Sequence, residues 1–197
     1  MGPAELHQLQ QALNFLANGR AIWPFAAALH LQAKGNILAQ MQNYDEAKRQ
    51  FERSLQLIQG SSLSQDIKDN AALQHHFNLT VLAIGKNDLV AAKTHAEEFR
   101  QGAEASKNSF QVRQAHELAG RIALAERDYE KAIADLAQAN QQDPGNLYRL
   151  GQAYQGKGDK AKAQEFGSKA AAFNSLPQLN YAFIRAKAQK MAGNKAS

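Results

Sequence analysis

Four segments of this chain repeat one short grammar: a turn residue, a side chain that is usually large, then alanine three positions on. They are Asn43-Tyr44-Asp45-Glu46-Ala47, Asp88-Leu89-Val90-Ala91-Ala92, Asp128-Tyr129-Glu130-Lys131-Ala132 and Asp159-Lys160-Ala161-Lys162-Ala163. The alanines lie 45, 40 and 31 residues apart. At such a period each unit is too small to bury its own apolar face, and neighbouring copies must stack to make a core. The apolar spacing makes the units helical. Tyr129, Ala132, Ile133, Leu136, Ala137 and Ala139 fall on one helix face, and Tyr44, Ala47, Phe51, Leu55 and Ile58 make the same stripe one copy earlier. Only four prolines interrupt a chain rich in alanine and glutamine and poor in valine, a bias that favours helix over sheet. With 44% apolar and 21% charged residues, the chain has the balance of a folded domain and not of a disordered one.

Flanking residues extend the grammar. The copy from about Arg113 to Asn146 has Gly120, then Asp128-Tyr129, Ala132, Leu136, Ala139 and a closing Asp143-Pro144. The next carries Leu147, Leu150-Gly151, Tyr154, Gly158-Asp159, Ala163 and Ala170, and the copy near Ala28 carries Gly35, Leu38, Tyr44, Ala47, Phe51 and Leu55. The copy from Leu73 is weaker, with Thr80 where the others have glycine. This pattern resembles the tetratricopeptide repeat, a helical hairpin of about 34 residues with Leu-Gly and an aromatic in its first helix and Ala, Phe and Pro through its second. The resemblance spans nearly the whole chain.

The resemblance implies an all-α fold, a right-handed superhelical stack of antiparallel helix hairpins with about four repeats and a C-terminal capping helix. The chain is expected to form a single array over residues 1–197. Its parts are an incomplete N-terminal repeat at 4–24, repeats at 25–60, 109–143 and 144–174, a long repeat at 64–107, and a capping helix at 177–192. Small residues at Gly35, Ala47, Gly120, Ala132, Gly151 and Ala163 are expected to let paired helices approach closely. Tyr44, Phe51, Tyr129 and Tyr154 are then left to fill the space between layers. Breaks are expected at Gly60-Ser61-Ser62-Leu63-Ser64 and near Lys107-Asn108-Ser109.

The pattern offers little for catalysis. Cysteine is absent, which removes disulfides, thiolate metal sites and thiol nucleophiles. None of the six histidines has another three or four positions away, so no pair of metal ligands shares a helix face. His76 and His116 fall where the family has a large packed residue. Gly156-Lys157-Gly158-Asp159 looks superficially like a phosphate loop, yet it occupies the turn position of a repeat. No catalytic residue, metal or cofactor is expected, and the chain is not expected to be an enzyme. The net charge of +5 comes mostly from lysines and arginines interleaved with acids, as on solvated helix faces, so nucleic acid is a disfavoured partner. The longest apolar run, Ala21 to Leu29, is about half of what a bilayer span needs. With no membrane span and no visible secretory signal, the location is left open.

In tetratricopeptide arrays the first helices line a groove that takes extended peptides or partner helices. Carried over by motif, the groove candidates are Gln32 and Asn36 in the first intact copy and Gln74, Phe77 and Asn78 in the second. Glu117 and Arg121 follow in the third, and Tyr148, Arg149 and Gln152 in the fourth. The set is rich in amides, which both donate to and accept from a peptide backbone. Asn36 and Asn78 match the amide pair of domains that grip acidic chaperone tails, but Gln32, Gln114 and Leu118 stand where that subtype needs cations. The expected function is therefore a non-catalytic scaffold for a protein or peptide partner of another kind. The alternative is self-assembly into a homo-oligomer through an open first layer around Leu9, Ala12, Leu13, Leu16 and Trp23-Pro24-Phe25.

Overall fold

Five of the described turns between helices, four within hairpins and one between two hairpins, share one local device. The residue just before the N-cap takes a left-handed backbone: Gln42, Asn87, Lys107 and Arg127 have φ of 62°, 60°, 53° and 62°, and Gly158 has 89°. The next residue is Asn or Asp in all five cases. Its side chain then accepts from the new helix: Asn43 from the Glu46 N–H at 3.4 Å, Asp88 from Ala91 at 3.0 Å, Asn108 from Phe110 at 2.9 Å, Asp128 from Lys131 at 3.1 Å and Asp159 from Lys162 at 3.0 Å. The cap satisfies an otherwise orphan donor and contributes about 1 kcal/mol, which offsets much of the cost of a left-handed non-glycine residue.

The computed structural model describes residues 24–173 and 179–193, and among these every regular element is a helix. The order is α1 (Pro24–Gln40), α2 (Tyr44–Gln59), α3 (Gln65–Gly85), α4 (Leu89–Ser106), α5 (Ser109–Ala125), α6 (Tyr129–Gln138), α7 (Pro144–Gly156), α8 (Lys160–Ala171) and α9 (Leu179–Met191). The expected all-helical architecture of four hairpins and a final helix is present. The breaks anticipated at 60–64 and around Lys107-Asn108 separate α2 from α3 and α4 from α5. Residues 4–23 of the incomplete N-terminal repeat lie outside the described residues. The chain divides into two compact units, Met1–Phe99 and Arg100–Ser197, with the boundary inside α4.

In the first unit, α1 packs on α2 and α2 on α3. A side chain at Gly35 would collide with the Phe51 ring, so only glycine lets α1 and α2 approach as they do. Ala47 is fully buried, and Ser54 Oγ donates to the Ala28 carbonyl at 2.9 Å across the same hairpin. Between hairpins, Tyr44 covers Gly85 at the end of α3, and Lys86 pairs with Asp45 at 2.5 Å. Phe77 of α3 meets Phe99 of α4 edge to face, with centroids 5.6 Å apart.

The second unit reuses these contacts with different side chains. Leu136 of α6 fills the space over Gly120 of α5, and Ala132 is fully buried. Tyr129 covers Gly156 at the end of α7 and Lys157 pairs with Glu130 at 2.8 Å, repeating the Tyr44–Gly85 and Asp45–Lys86 contacts. Gly-Lys-x-Asp therefore ends both α3 and α7, and the superficial phosphate loop is the turn of a repeat. Tyr154 and Phe166 stack 5.4 Å apart and nearly parallel, tying α7 to α8. The last helix, α9, packs on α7 and α8. Met191 sits over Gly151 and Gly167, and buried Ala188 joins Leu147 and Ala170, the covering an end layer needs to keep its apolar face from water.

Candidate functional site

The candidate residues sit on α1, α3, α5 and α7, the first helices of the four hairpins. Helical spacing puts Gln32 and Asn36 on one face of α1, Gln74 and Asn78 on one face of α3, Glu117 and Arg121 on one face of α5, and Tyr148 and Gln152 on one face of α7. What differs between the two units is how these side chains are engaged.

On the first unit the polar face is a chain of neutral amides. Asn78, only 4% exposed, donates from Nδ2 to Gln32 Oε1 at 2.8 Å, and its Oδ1 accepts from Gln74 Nε2 at 3.3 Å. Gln32 and Gln74 are half-buried, and Asn36 is exposed one turn beyond Gln32. Phe77, beside Asn78, is half-buried against Phe99. Thr80, standing where other copies have glycine, is fully buried and its hydroxyl donates to the His76 carbonyl at 2.9 Å.

On the second unit the corresponding face holds buried ions. Glu117 is 5% exposed, and its Oε1 lies 2.6 Å from Arg121 Nη2 and 3.4 Å from Arg149 Nη1. Asn146, fully buried, donates from Nδ2 to Glu117 Oε2 at 3.2 Å and accepts from Arg149 Nη1 at 3.0 Å. Burial is the strongest single influence on the Glu117 carboxyl and disfavours its charge. The two guanidiniums, with hydrogen bonds from Asn146 and Arg121, outweigh it and hold the carboxyl below its ordinary value. Burial, then the like charge of Arg121, pulls Arg149 down to about 10, which leaves it charged at neutral pH. Tyr148 is half-buried and its phenol is pushed up by burial, while Gln152 is exposed.

Every candidate on these four helices has a defined place. Asn36 and Gln152 are open to solvent, Asn78 and Glu117 are buried centres of their networks, and Arg121 and Arg149 both lie against Glu117. Sequence reasoning missed Asn146, which links α5 to α7. Its signal was weak, because an Asn after Asp143-Pro144-Gly145 reads as part of a helix start. Among the described residues no group of three potential metal ligands comes together, and no helix is long and apolar enough to cross a membrane.

The geometry has counterparts among known proteins. The family model described as "Tetratricopeptide repeat" matches residues 31–60, which cover most of α1 and all of α2, and residues 145–172, which cover α7 and α8. One similar solved structure is the crystal structure of BtubC (BKLC) from P. vanneervenii, at a TM-score of 0.53 and 12% identity. The alignment covers 97% of this chain and 84% of that one, and at such identity the likeness is one of fold alone. No curated protein matches the sequence significantly.

Proposed function

We propose that this chain, which belongs to the tetratricopeptide repeat family, is a non-catalytic scaffold that holds a peptide or helix of a protein partner on its first helices. Repeats of this family generally mediate protein–protein interaction and are typically non-catalytic. The observation that carries the reading is pre-organisation. Gln32, Asn78 and Gln74 hold one another across two helices, so their remaining donors and acceptors are offered at fixed positions. Fixed polar groups bind an extended backbone with less loss of side-chain freedom than mobile ones.

The test uses a displayed peptide library selected on the full chain. Asn36→Arg and Gln152→Arg place bulk and charge on exposed first-helix positions and leave the buried networks untouched. Selected peptides are expected to bind these variants at least about tenfold more weakly, a loss of about 1.4 kcal/mol, while melting temperatures stay unchanged. Equal binding by both variants would exclude the first-helix faces of both units as the site.

Self-assembly is the second reading, favoured by Phe25 and Leu29 of α1, which are 47% and 53% exposed and one helical turn apart. The other residues expected in that layer, Leu9 to Trp23, lie outside the described residues. Light scattering across concentrations decides it. A dimer that Phe25→Ser with Leu29→Ser disperses supports this reading, and a monomer at every concentration removes it.

A further inference from the structure

Three histidines of the first unit take no part in the amide face. His75 and His76 lie on α3 between Gln74 and Phe77, and His95 lies on α4. The His76 and His95 rings are 5.7 Å apart by centroid and tilted 49° to each other. In each of the three, Nδ1 is buried with no hydrogen-bond partner among the described residues. A neutral imidazole tolerates this, because the proton sits on Nε2 and the bare nitrogen packs against its neighbours. A protonated one does not, because the new N–H is buried without an acceptor. His116 in the second unit is built differently, with Asp135 Oδ1 3.3 Å from its Nδ1.

We propose that His75 and His95, with the His76 ring packed against His95, form a proton-operated latch that holds α3 against α4 when neutral and releases it in mild acid. Charged groups of α2 and of α4 with its cap residue act on the cluster. Lys48 and Glu52 of α2 act on His75, together with His76 and His95, while His76, Lys48, Glu98 and Asp88 act on His95. Glu52 favours the charged form of His75, and Glu98 and Asp88 that of His95. Burial, with the neighbouring imidazoles and Lys48, outweighs these acids and holds both rings below the ordinary histidine value. A depressed value in the fold means that the open chain takes up protons first. The stabilisation is complete above the ordinary value of 6.5 and is lost as pH falls below it. Opening of a single layer is the expected form, since local units of structure open at less cost than the whole chain. This holds whether or not the first helices carry a partner.

Hydrogen exchange on the full chain tests the latch, with α6 to α8 as the reference in the same molecule. Between pH about 7.5 and about 5.5, protection of residues 71–99 is expected to fall at least about fivefold relative to residues 129–171. Equal changes in the two regions would overturn it. The double variant His75→Gln, His95→Gln is expected to lose this pH-dependent difference. Should that variant fail to fold, titration of the imidazole Cε1 protons in the unmodified chain decides: midpoints for His75 and His95 below that of a histidine in an unfolded peptide support the latch, and midpoints at or above it refute the latch.

Discussion

The two units of this chain solve one packing problem alike and one polar problem differently. In both, glycine meets a large side chain inside a hairpin, Gly35 with Phe51 and Gly120 with Leu136, and tyrosine covers a helix-ending glycine between hairpins. On the first helices they diverge. The first unit joins α1 to α3 with neutral amides, and the second joins α5 to α7 with two guanidiniums around a carboxylate. Contacts set by shape recur because the helix spacing demands them. Contacts set by polarity need only be satisfied, so each unit is free to satisfy them in its own way.

The sharpest way to break this comparison is to remove the central group of each network. Glu117→Gln leaves Arg121 and Arg149 buried without their countercharge and is expected to cost about 3–5 kcal/mol by urea denaturation. A cost under about 1 kcal/mol would show that the ions are solvated and the contrast is superficial. pH separates the units too. The Glu117 carboxyl is held low, so its stabilisation persists above the ordinary carboxylate value of 4.5 and is lost only as pH falls below it. The histidine cluster yields earlier, below 6.5. Acid titration followed by residue-resolved NMR is expected to show α3 and α4 changing before α5 and α7.

The shared packing predicts the next effect. Ala132→Leu overfills the α5–α6 contact and is expected to cost about 1–3 kcal/mol, with a similar loss for Ala47→Leu at the equivalent place in the first unit. Unchanged melting curves would refute the close approach. Asn78→Ala releases Gln32 and Gln74, which are half-buried and can recover water, so about 1 kcal/mol is expected in the same assay. A loss matching that of Glu117→Gln would erase the distinction between amides and ions.

The packing was readable in the sequence because it is periodic. Turn residues before Tyr44 and Tyr129 and small residues at Gly35 and Gly120 stand at repeating offsets, and the break near Lys107-Asn108 is implied by the lengthened interval between copies. The polar partners were not readable. Asn146 lies 29 residues from Glu117, and Asn78 lies 46 from Gln32, so no local spacing announces either pair. Arg121 and Arg149 stood out as groove cations, but their engagement by Glu117 depends on the register between α5 and α7. The boundary between Phe99 and Arg100 was hidden for another reason: it falls inside α4, where the apolar pattern runs on unbroken.

The smallest expected effect concerns the turns. Arg127 holds φ of 62° where the last hairpin uses Gly158 at 89°. Arg127→Gly relieves the left-handed strain but frees the unfolded chain, for a net gain of about 0.5 kcal/mol. Gly158→Ala meets nothing within 4 Å, so any loss in a thermal melt reports backbone strain alone. A destabilised Arg127→Gly would mean that the arginine side chain, and not the cap after it, holds the turn.

The central claim is that the first helices of each unit carry a binding face. Its most direct test is a backbone amide shift map of the full chain on addition of a peptide selected from the library. The account predicts the largest changes on α1, α3, α5 and α7, around Asn36, Gln74, Phe77 and Gln152. Changes concentrated on α2, α6, α8 or α9 would contradict it.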